Sequence, residues 1–154
     1  MNRLLYFCFV LFLFSCSNDK PVLSETYEFD DNLWSKDKQI EFAGQFMDSD
    51  CDYKIKISIT YTTEYPYSNL IFSLKMMTPE GTERNIDFEI FLKDENRNQT
   101  GTVSGDNYVF EFDAIKRTSF KDQGMYTFIL FHHMPLSGVM GIKSLTMEIY
   151  KLHD

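Results

Sequence analysis

The sequence predicts an all-β protein, an antiparallel β-sandwich of the immunoglobulin-like or jelly-roll-like kind that is lipid-anchored at its N-terminus. Three observations favour this class. Apolar and polar residues alternate over several short segments, turn-forming residues separate those segments, and no long stretch shows the 3.6-residue period of an amphipathic helix. An apolar N-terminus that ends at a cysteine indicates the anchor.

Residues 1–15 are predicted to be a lipoprotein signal peptide. Arg3 precedes the apolar run Leu4–Phe14, which is shorter than the about 20 residues that a helix needs to cross a bilayer. The run leads into LFSC, residues 13–16, which resembles the lipobox of bacterial lipoproteins. On that resemblance Cys16 is the lipidated N-terminal residue, and the mature protein is attached to a membrane without spanning it. The alternative is an ordinary signal peptide with a chance cysteine.

After the signal peptide, residues 16–25 are expected to form a short tether and residues 26–154 a single domain. The formal net charge of −8 becomes more negative when Arg3 is removed with the signal. This charge argues against nucleic acid as a partner and against electrostatic adsorption to anionic lipid. With Cys8 removed and Cys16 lipidated, Cys51 is the remaining free thiol. We expect it to be a small buried side chain, because it opens an apolar stripe.

Seven segments are expected to be strands. The clearest is CDYKIKISITYT, residues 51–62, in which one parity is apolar and the other polar. Another two, Leu70–Met76 and Ile86–Leu92, flank the turn-forming Thr78–Gly81 and are predicted to pair as a hairpin. From Asp113 to Phe120 the alternation stops, and one or two helical turns or a loop remain open. The other expected strands are Ile40–Phe46, Tyr108–Phe112, Met125–His132 and Ile142–Tyr150.

No catalytic, cofactor-binding or metal-binding residues are predicted. His132 and His133 are neighbours on an expected strand, so their rings point to opposite faces and cannot bind one metal together. DSDCD, residues 48–52, begins like a calcium loop, but Tyr53 and Ile59 stand where that loop needs Gly and Glu. Phosphate-loop, nucleophile-elbow and zinc-helix motifs are missing from the sequence. The sequence therefore indicates a non-enzymatic protein with no small-molecule substrate.

Aromatic residues lie near the ends of the expected strands. Trp34, Tyr65 and Tyr67 form the predicted interaction patch, because protein interfaces concentrate their binding energy in a few aromatic anchors. The same three residues, together with Tyr61, would offer flat rings for stacking on sugars. A surface or periplasmic glycan-binding lipoprotein is therefore the alternative function. A sandwich without a disulfide also needs aromatic side chains to fill its core, which is the structural interpretation of the same residues.

Six short segments occur in a characteristic order behind the lipobox. They are NLWSKD (residues 32–37), YSNL (67–70), TPEGT (78–82), FKDQGMY (120–126), HMP (133–135) and GVMGI (138–142). This ordered set resembles the GldH family of gliding-motility lipoproteins of Bacteroidota and covers nearly the whole mature chain. The resemblance implies a structural component of the gliding and type IX secretion machinery whose partners are other envelope proteins of that machinery. It implies no catalytic residues.

The residues after Cys16 bear on localisation. Ser17 stands where many lipoproteins of the proteobacterial inner membrane have Asp, which favours the outer membrane. SNDK, residues 17–20, has one acid beside one base rather than the acidic cluster that is typical of surface lipoproteins in Bacteroidota. We therefore expect a lipid-anchored protein of the cell envelope, in the outer membrane, with its domain facing the periplasm.

Overall fold

The computed structural model describes residues 20–152, so the predicted signal peptide and Cys16 lie outside the described residues. A 3₁₀ turn at Asp30–Asn32 is the one helical element in this range, and no helix in the range has the length and hydropathy to cross a membrane. The strands are β1 (Leu23–Glu28), β2 (Leu33–Ser35), β3 (Ile40–Phe46), β4 (Asp52–Thr62), β5 (Asn69–Met77), β6 (Glu83–Phe91), β7 (Thr102–Ser104), β8 (Asn107–Ser119), β9 (Gly124–His132), β10 (Gly138–Met140) and β11 (Ile142–Lys151).

These strands form two antiparallel sheets that pack face to face. The first sheet has the order β1-β11-β4-β8-β7 and the second has the order β3-β9-β5-β6, while β2 and β10 form a separate two-stranded ribbon. Side chains of the two sheets meet in the interior: the ring of Phe72 on β5 lies 6.2 Å from that of Phe112 on β8, and Phe46 on β3 lies 5.4 Å from Tyr53 on β4. The predicted antiparallel β-sandwich is confirmed.

The period-two alternation of the strands places their apolar side chains in the core. In β4, Ile55, Ile57 and Ile59 are fully buried, as the parity of that segment predicts. In β3, buried and exposed residues alternate along the whole strand. Burying one aliphatic or aromatic side chain of this size contributes about 1.5–3 kcal/mol. The facing inner surfaces of the two sheets therefore supply most of the stability.

The predicted hairpin is also confirmed. β5 and β6 pair over nine residues, from Asn69 opposite Phe91 to Met77 opposite Glu83, without a shift in register. The connecting turn closes where the Gly81 N–H donates to the Thr78 carbonyl at 2.9 Å. Gly81 has a φ of 84°, a conformation that glycine adopts without steric cost.

Two segments differ from the expectation. β1 begins at Leu23 and pairs with Ile149 of β11, so the predicted tether ends before residue 25. Residues 113–119 are neither helix nor loop, because they continue β8 to Ser119. The ladder between β4 and β8 shifts register on both sides of Ile55, and these irregularities change which parity faces inward. Ile115 is buried there instead of Ala114, which is why the alternation disappears from the sequence.

Adjacent positions on β3 test the parity of the fold. Phe42→Asp places a charge at a position that is 3% exposed, and we expect it to lower the free energy of unfolding by more than about 3 kcal/mol. Ala43→Asp, on the exposed outer face of the same strand, should change that free energy by less than about 1 kcal/mol. Urea unfolding of both variants measures the difference. Equal losses would contradict the register of β3.

Candidate functional site

The prediction that Trp34, Tyr65 and Tyr67 form an exposed aromatic patch is wrong. Trp34 is fully buried, and its indole N–H donates to the Lys38 carbonyl at 3.0 Å. Tyr65 is fully buried as well, and its hydroxyl donates to the Asn69 carbonyl at 2.6 Å. Tyr67 is half-buried, with its ring 5.7 Å from that of Tyr65. Trp34 and Tyr65 therefore belong to the core, and Tyr67 lies at its margin. The indole N–H of Trp34 and the hydroxyl of Tyr65 each bond to a backbone carbonyl inside the domain, as buried polar groups of aromatic rings usually do.

The burial of the aromatic rings also argues against stacking on sugars. Tyr61 is fully buried, and its hydroxyl donates to the Leu92 carbonyl at 2.9 Å while accepting the N–H of Gly101 at 3.0 Å. Burial raises the pKa of Tyr65, so its hydroxyl stays a hydrogen-bond donor at neutral pH. The four aromatic residues therefore do not form the flat exposed platform on which the glycan-binding alternative rested.

The two histidines lie on opposite faces of the second sheet, as predicted. His132 is 3% exposed, and its ring packs edge-on against Trp34 with the centroids 5.4 Å apart. Neither of its ring nitrogens forms a hydrogen bond of normal geometry. Burial lowers the pKa of His132, so the ring is neutral at pH 7. His133 is exposed on the outer face, and the pair cannot bind one metal together.

Cys51 and the acidic turn beside it lie at the start of β4. Cys51 is free and packs against the core, but it is half-buried rather than fully buried as we expected. Lys151 donates to the Asp48 carboxylate at 2.8 Å, and hydrogen bonds to Asp48 and Cys51 raise the pKa of this lysine. Residues 20–152 contain no group of three or more His, Cys, Asp or Glu side chains arranged to hold a metal ion.

A polar cluster that the sequence pattern does not reveal joins β5 and β6 to His133, the residue after β9, on the outer face of the second sheet. Ser73 of β5 is 1% exposed although it lies on the outer face. Its hydroxyl is hydrogen-bonded to the Asp87 carboxylate of β6 and lies 2.6 Å from His133 Nε2. A carboxylate only accepts, so the single hydroxyl proton goes to Asp87 and His133 Nε2–H donates to Ser73.

This arrangement is not that of a nucleophilic triad. In a triad the carboxylate orients the histidine, and the histidine takes the proton of an accessible serine. Here the carboxylate and the imidazole both bind Ser73, whose hydroxyl is covered. The cluster links β6 and β5 to the residue that follows β9. The alternation gives the outward parity of Ser73 and Asp87, but only the register places them side by side.

One long side of the sandwich is open. The first sheet ends at β7, which pairs only with residues 107–109 of β8, and in the described part of the chain no strand covers the outer edge of β6. We call the space between β6 and β8 the open side. Half-buried apolar side chains line it, and two of them meet across it: the rings of Phe88 and Phe112 lie 5.4 Å apart. The lining residues are Ile86, Phe88, Phe110, Phe112 and Ala114.

The two ends of the open side differ. At one end the connection from Leu92 to Gly101 crosses between the sheets and is held by the Tyr61 hydroxyl. At the other end lies a cleft of about 230 Å³. Its apolar lining consists of Met76, Phe120 and Tyr126, and its polar lining includes Arg84, Thr118, Ser119 and Lys121. The open side with its terminal cleft is the candidate functional site.

The fold and this site define an antiparallel β-sandwich domain with one open side. Over residues 21–149 the chain matches the family model described as GldH lipoprotein. The match spans nearly the whole described sandwich, so the chain belongs to the GldH lipoprotein family.

Two relatives carry the family name. The gliding motility lipoprotein GldH of Flavobacterium johnsoniae is 28% identical over 98 residues, which cover 64% of this chain and 58% of that protein. The gliding motility lipoprotein GldH homolog of Christiangramia forsetii is 27% identical over 140 residues, which cover 90% of this chain and 85% of the relative. The chain therefore spans less than two thirds of the Flavobacterium johnsoniae protein.

Solved structures give weaker similarities. The structure of the infectious bursal disease virus Gx strain covers 86% of this chain and 33% of its own, with 11% identity and a TM-score of 0.38. The VP2 subviral particle of the same virus covers 86% and 34%, with 10% identity and a TM-score of 0.34. These TM-scores are too low to support any conclusion about this protein.

The buried His132 predicts a dependence of stability on pH. Its pKa in the folded state is lowered, so the unfolded chain binds the proton more readily once the pH falls below about 6.5. The stabilisation is fully present above that pH and is lost as the pH falls. When the pH is lowered from 7.5 to 5.5, we expect the free energy of unfolding of the wild type to fall by up to about 1 kcal/mol more than that of His132→Leu. Urea unfolding at both pH values measures this difference.

A second replacement without an ionisable group, His132→Met, is the control and should show the same reduced acid sensitivity as His132→Leu. Identical pH dependence in the wild type and His132→Leu would show that His132 is not the group responsible.

Proposed function

We propose that this chain is a non-enzymatic, lipid-anchored component of the gliding and type IX secretion machinery. The observation that carries the proposal is the family match over residues 21–149, together with relatives named as gliding motility lipoproteins. In this role the sandwich holds partner proteins of the envelope through complementary surface, which requires no catalytic group.

The side-chain chemistry supports a role without catalysis. The hydroxyl of Ser73 is covered, the imidazole of His132 is enclosed by the core, and Cys51 lies beside the ion pair of Lys151 and Asp48. A general base or nucleophile has to reach its substrate within hydrogen-bond distance. Neither Ser73 nor His132 meets that condition.

The distance from the proposed anchor supports work close to the membrane. Cys16 precedes Leu23 by seven residues, which span at most about 25 Å when fully extended. Leu23 pairs with Ile149 at the end of the first sheet where β4 begins and β8 ends, and Ser119 at the end of β8 lines the cleft. The cleft therefore lies at the end of the domain that the anchor would hold nearest the membrane.

We propose that the lipid anchor lies in the outer membrane and that the sandwich domain faces the periplasm. Ser17 after Cys16 and the absence of an acidic cluster in residues 17–20 support this location. On that side, the partners would be periplasmic segments of other components of the machinery.

Complementation of a gene deletion tests the proposal. Deletion should abolish gliding and secretion through the type IX pathway, and the wild-type gene should restore both. Cys16→Ala should block palmitate labelling and fail to restore the phenotype, because the domain is no longer held at the membrane. Cys8→Ala is the matched control and should keep labelling and function.

His133→Gln separates the structural role from a catalytic one. If the role is structural, this folded variant should restore gliding as well as the wild type does. A folded His133→Gln protein with the full deletion phenotype would contradict the non-enzymatic role. Normal palmitate labelling of Cys16→Ala would contradict the anchor.

A further inference from the structure

The outer edge of β6 presents a regular row of main-chain groups. Leu92, just after β6, donates its N–H to the Ser68 carbonyl at 2.8 Å, and the pairing of β5 with β6 has no register shift. In an antiparallel ladder, alternate residues direct both their N–H and C=O groups towards the same neighbour. The even-numbered residues of β6 therefore face β5, and the N–H and C=O groups of Glu83, Asn85, Asp87 and Glu89 point away from the sheet.

The two long sides of the sandwich are not equivalent. On the opposite side, β1 and β3 approach each other so closely that a Cβ atom on Gly44 would lie 3.4 Å from Leu23 Cδ2. Between β6 and β8 the contact is instead one of half-buried rings, those of Phe88 and Phe112, 5.4 Å apart. The side chains of Ile86, Phe88 and Phe112 point into the interior there and remain half-buried.

β6 is better suited than β8 to accept another strand. β8 already pairs with β7 at residues 107–109, and its own ladder with β4 is irregular on both sides of Ile55. β6 has nine regularly paired residues, and within residues 20–152 no strand pairs with its outer edge. An edge of this kind is the template to which an extended peptide adds by main-chain hydrogen bonds.

The charges beside the outer edge of β6 favour a basic segment. Of the five carboxylates on β6 and β8, three already pair with lysines of neighbouring strands: Glu83 with Lys75 at 3.4 Å, Glu111 with Lys56 at 4.0 Å and Asp113 with Lys54 at 3.9 Å. The other two, Asp87 and Glu89 of β6, accept hydrogen bonds from the uncharged side chains of Ser73 and Asn69. The whole chain is acidic as well, with a net charge of −8. A second copy of this chain would bring Asp87 and Glu89 of two acidic chains together, whereas a basic segment complements these two carboxylates.

We propose that β6 is the docking edge for an extended basic segment of another envelope protein, which adds to the second sheet as a fifth strand. The segment pairs with the outward main-chain groups of Glu83–Glu89. Large apolar side chains at alternate positions of the segment cover Phe88, Phe110 and Phe112, while Lys and Arg between them face the carboxylates of Asp87 and Glu89. This inference rests on the proposed function, since it names the chemistry of the partner that such a component holds.

Photo-cross-linking of the full-length chain in its native host tests the inference. The photoreactive residue p-benzoylphenylalanine replaces Glu83 in a strain that lacks the wild-type gene. We expect a discrete adduct with another protein, whose cross-linked segment alternates apolar with basic residues when sequenced by mass spectrometry. The same photoreactive residue at Ala43, on the outer face of β3 in the same sheet, is the control and should give no such adduct.

Substitutions at Asn85 identify the interaction. Asn85→Pro removes an outward N–H without breaking the ladder to β5, because proline is tolerated on an edge strand when its nitrogen faces solvent. It should reduce the adduct at least ten-fold, whereas Asn85→Ala should leave it unchanged. Asn85→Lys keeps the main chain intact and should reduce the adduct several-fold by repulsion, and Asn85→Asp should not reduce it.

Thermal unfolding and the cellular level of each variant show whether it is folded. If Asn85→Pro is not folded, the comparison of Asn85→Lys with Asn85→Asp decides the outcome. An adduct of doubled mass would identify a second copy and overturn the inference. An undiminished adduct in folded Asn85→Pro, or no adduct at Glu83, would overturn it as well. If deletion abolishes gliding while Asn85→Pro and Asn85→Lys glide normally, the docking edge is wrong and the proposed function stands.

Discussion

The structure depends on the packing of two inner sheet faces against each other. No disulfide holds this domain within residues 20–152, because Cys51 is free. Aromatic contacts between the sheets take that role, such as the rings of Phe72 and Phe112, whose centroids lie 6.2 Å apart. Packing of this kind needs large side chains in strict alternation, which explains why so much of the aromatic content is internal. Packing between the inner faces does not by itself close the two long sides of the sandwich, where the edge strands of the two sheets lie.

The alternation predicts the fold well and the surface poorly. β3, β4 and the hairpin of β5 and β6 follow from the sequence because each strand has one buried face. Trp34 and Tyr65 lie in or beside short irregular segments whose parity gives no information, and only the three-dimensional structure shows that they are buried. The second half of β8 could not be predicted either, because the register shifts near Ile55 interrupt the alternation in the sequence. The bond between Ser73 and Asp87 depends on the pairing of two strands, which one strand's pattern does not contain.

The position of the candidate site follows from these margins. One side of the sandwich closes where Leu23 of β1 reaches Gly44 of β3, and the other remains open between β6 and β8. The aromatic residues that would have made an exposed patch are used inside the fold, so the proposed docking site consists of main-chain groups and half-buried rings instead. Sequence motifs do not record a strand edge, because its chemistry is that of the backbone. The proposed function therefore attributes specific binding to a backbone edge rather than to a sequence motif.

The central claim is that β6 has a free outer edge, and residue-resolved amide hydrogen exchange of the purified protein tests it most directly. The account predicts fast exchange for the outward amides of Asn85, Asp87 and Glu89 and slow exchange for the inward amides of Ile86 and Phe88, which donate to β5. Slow exchange at all five positions would show that another strand already covers β6, and would contradict the account.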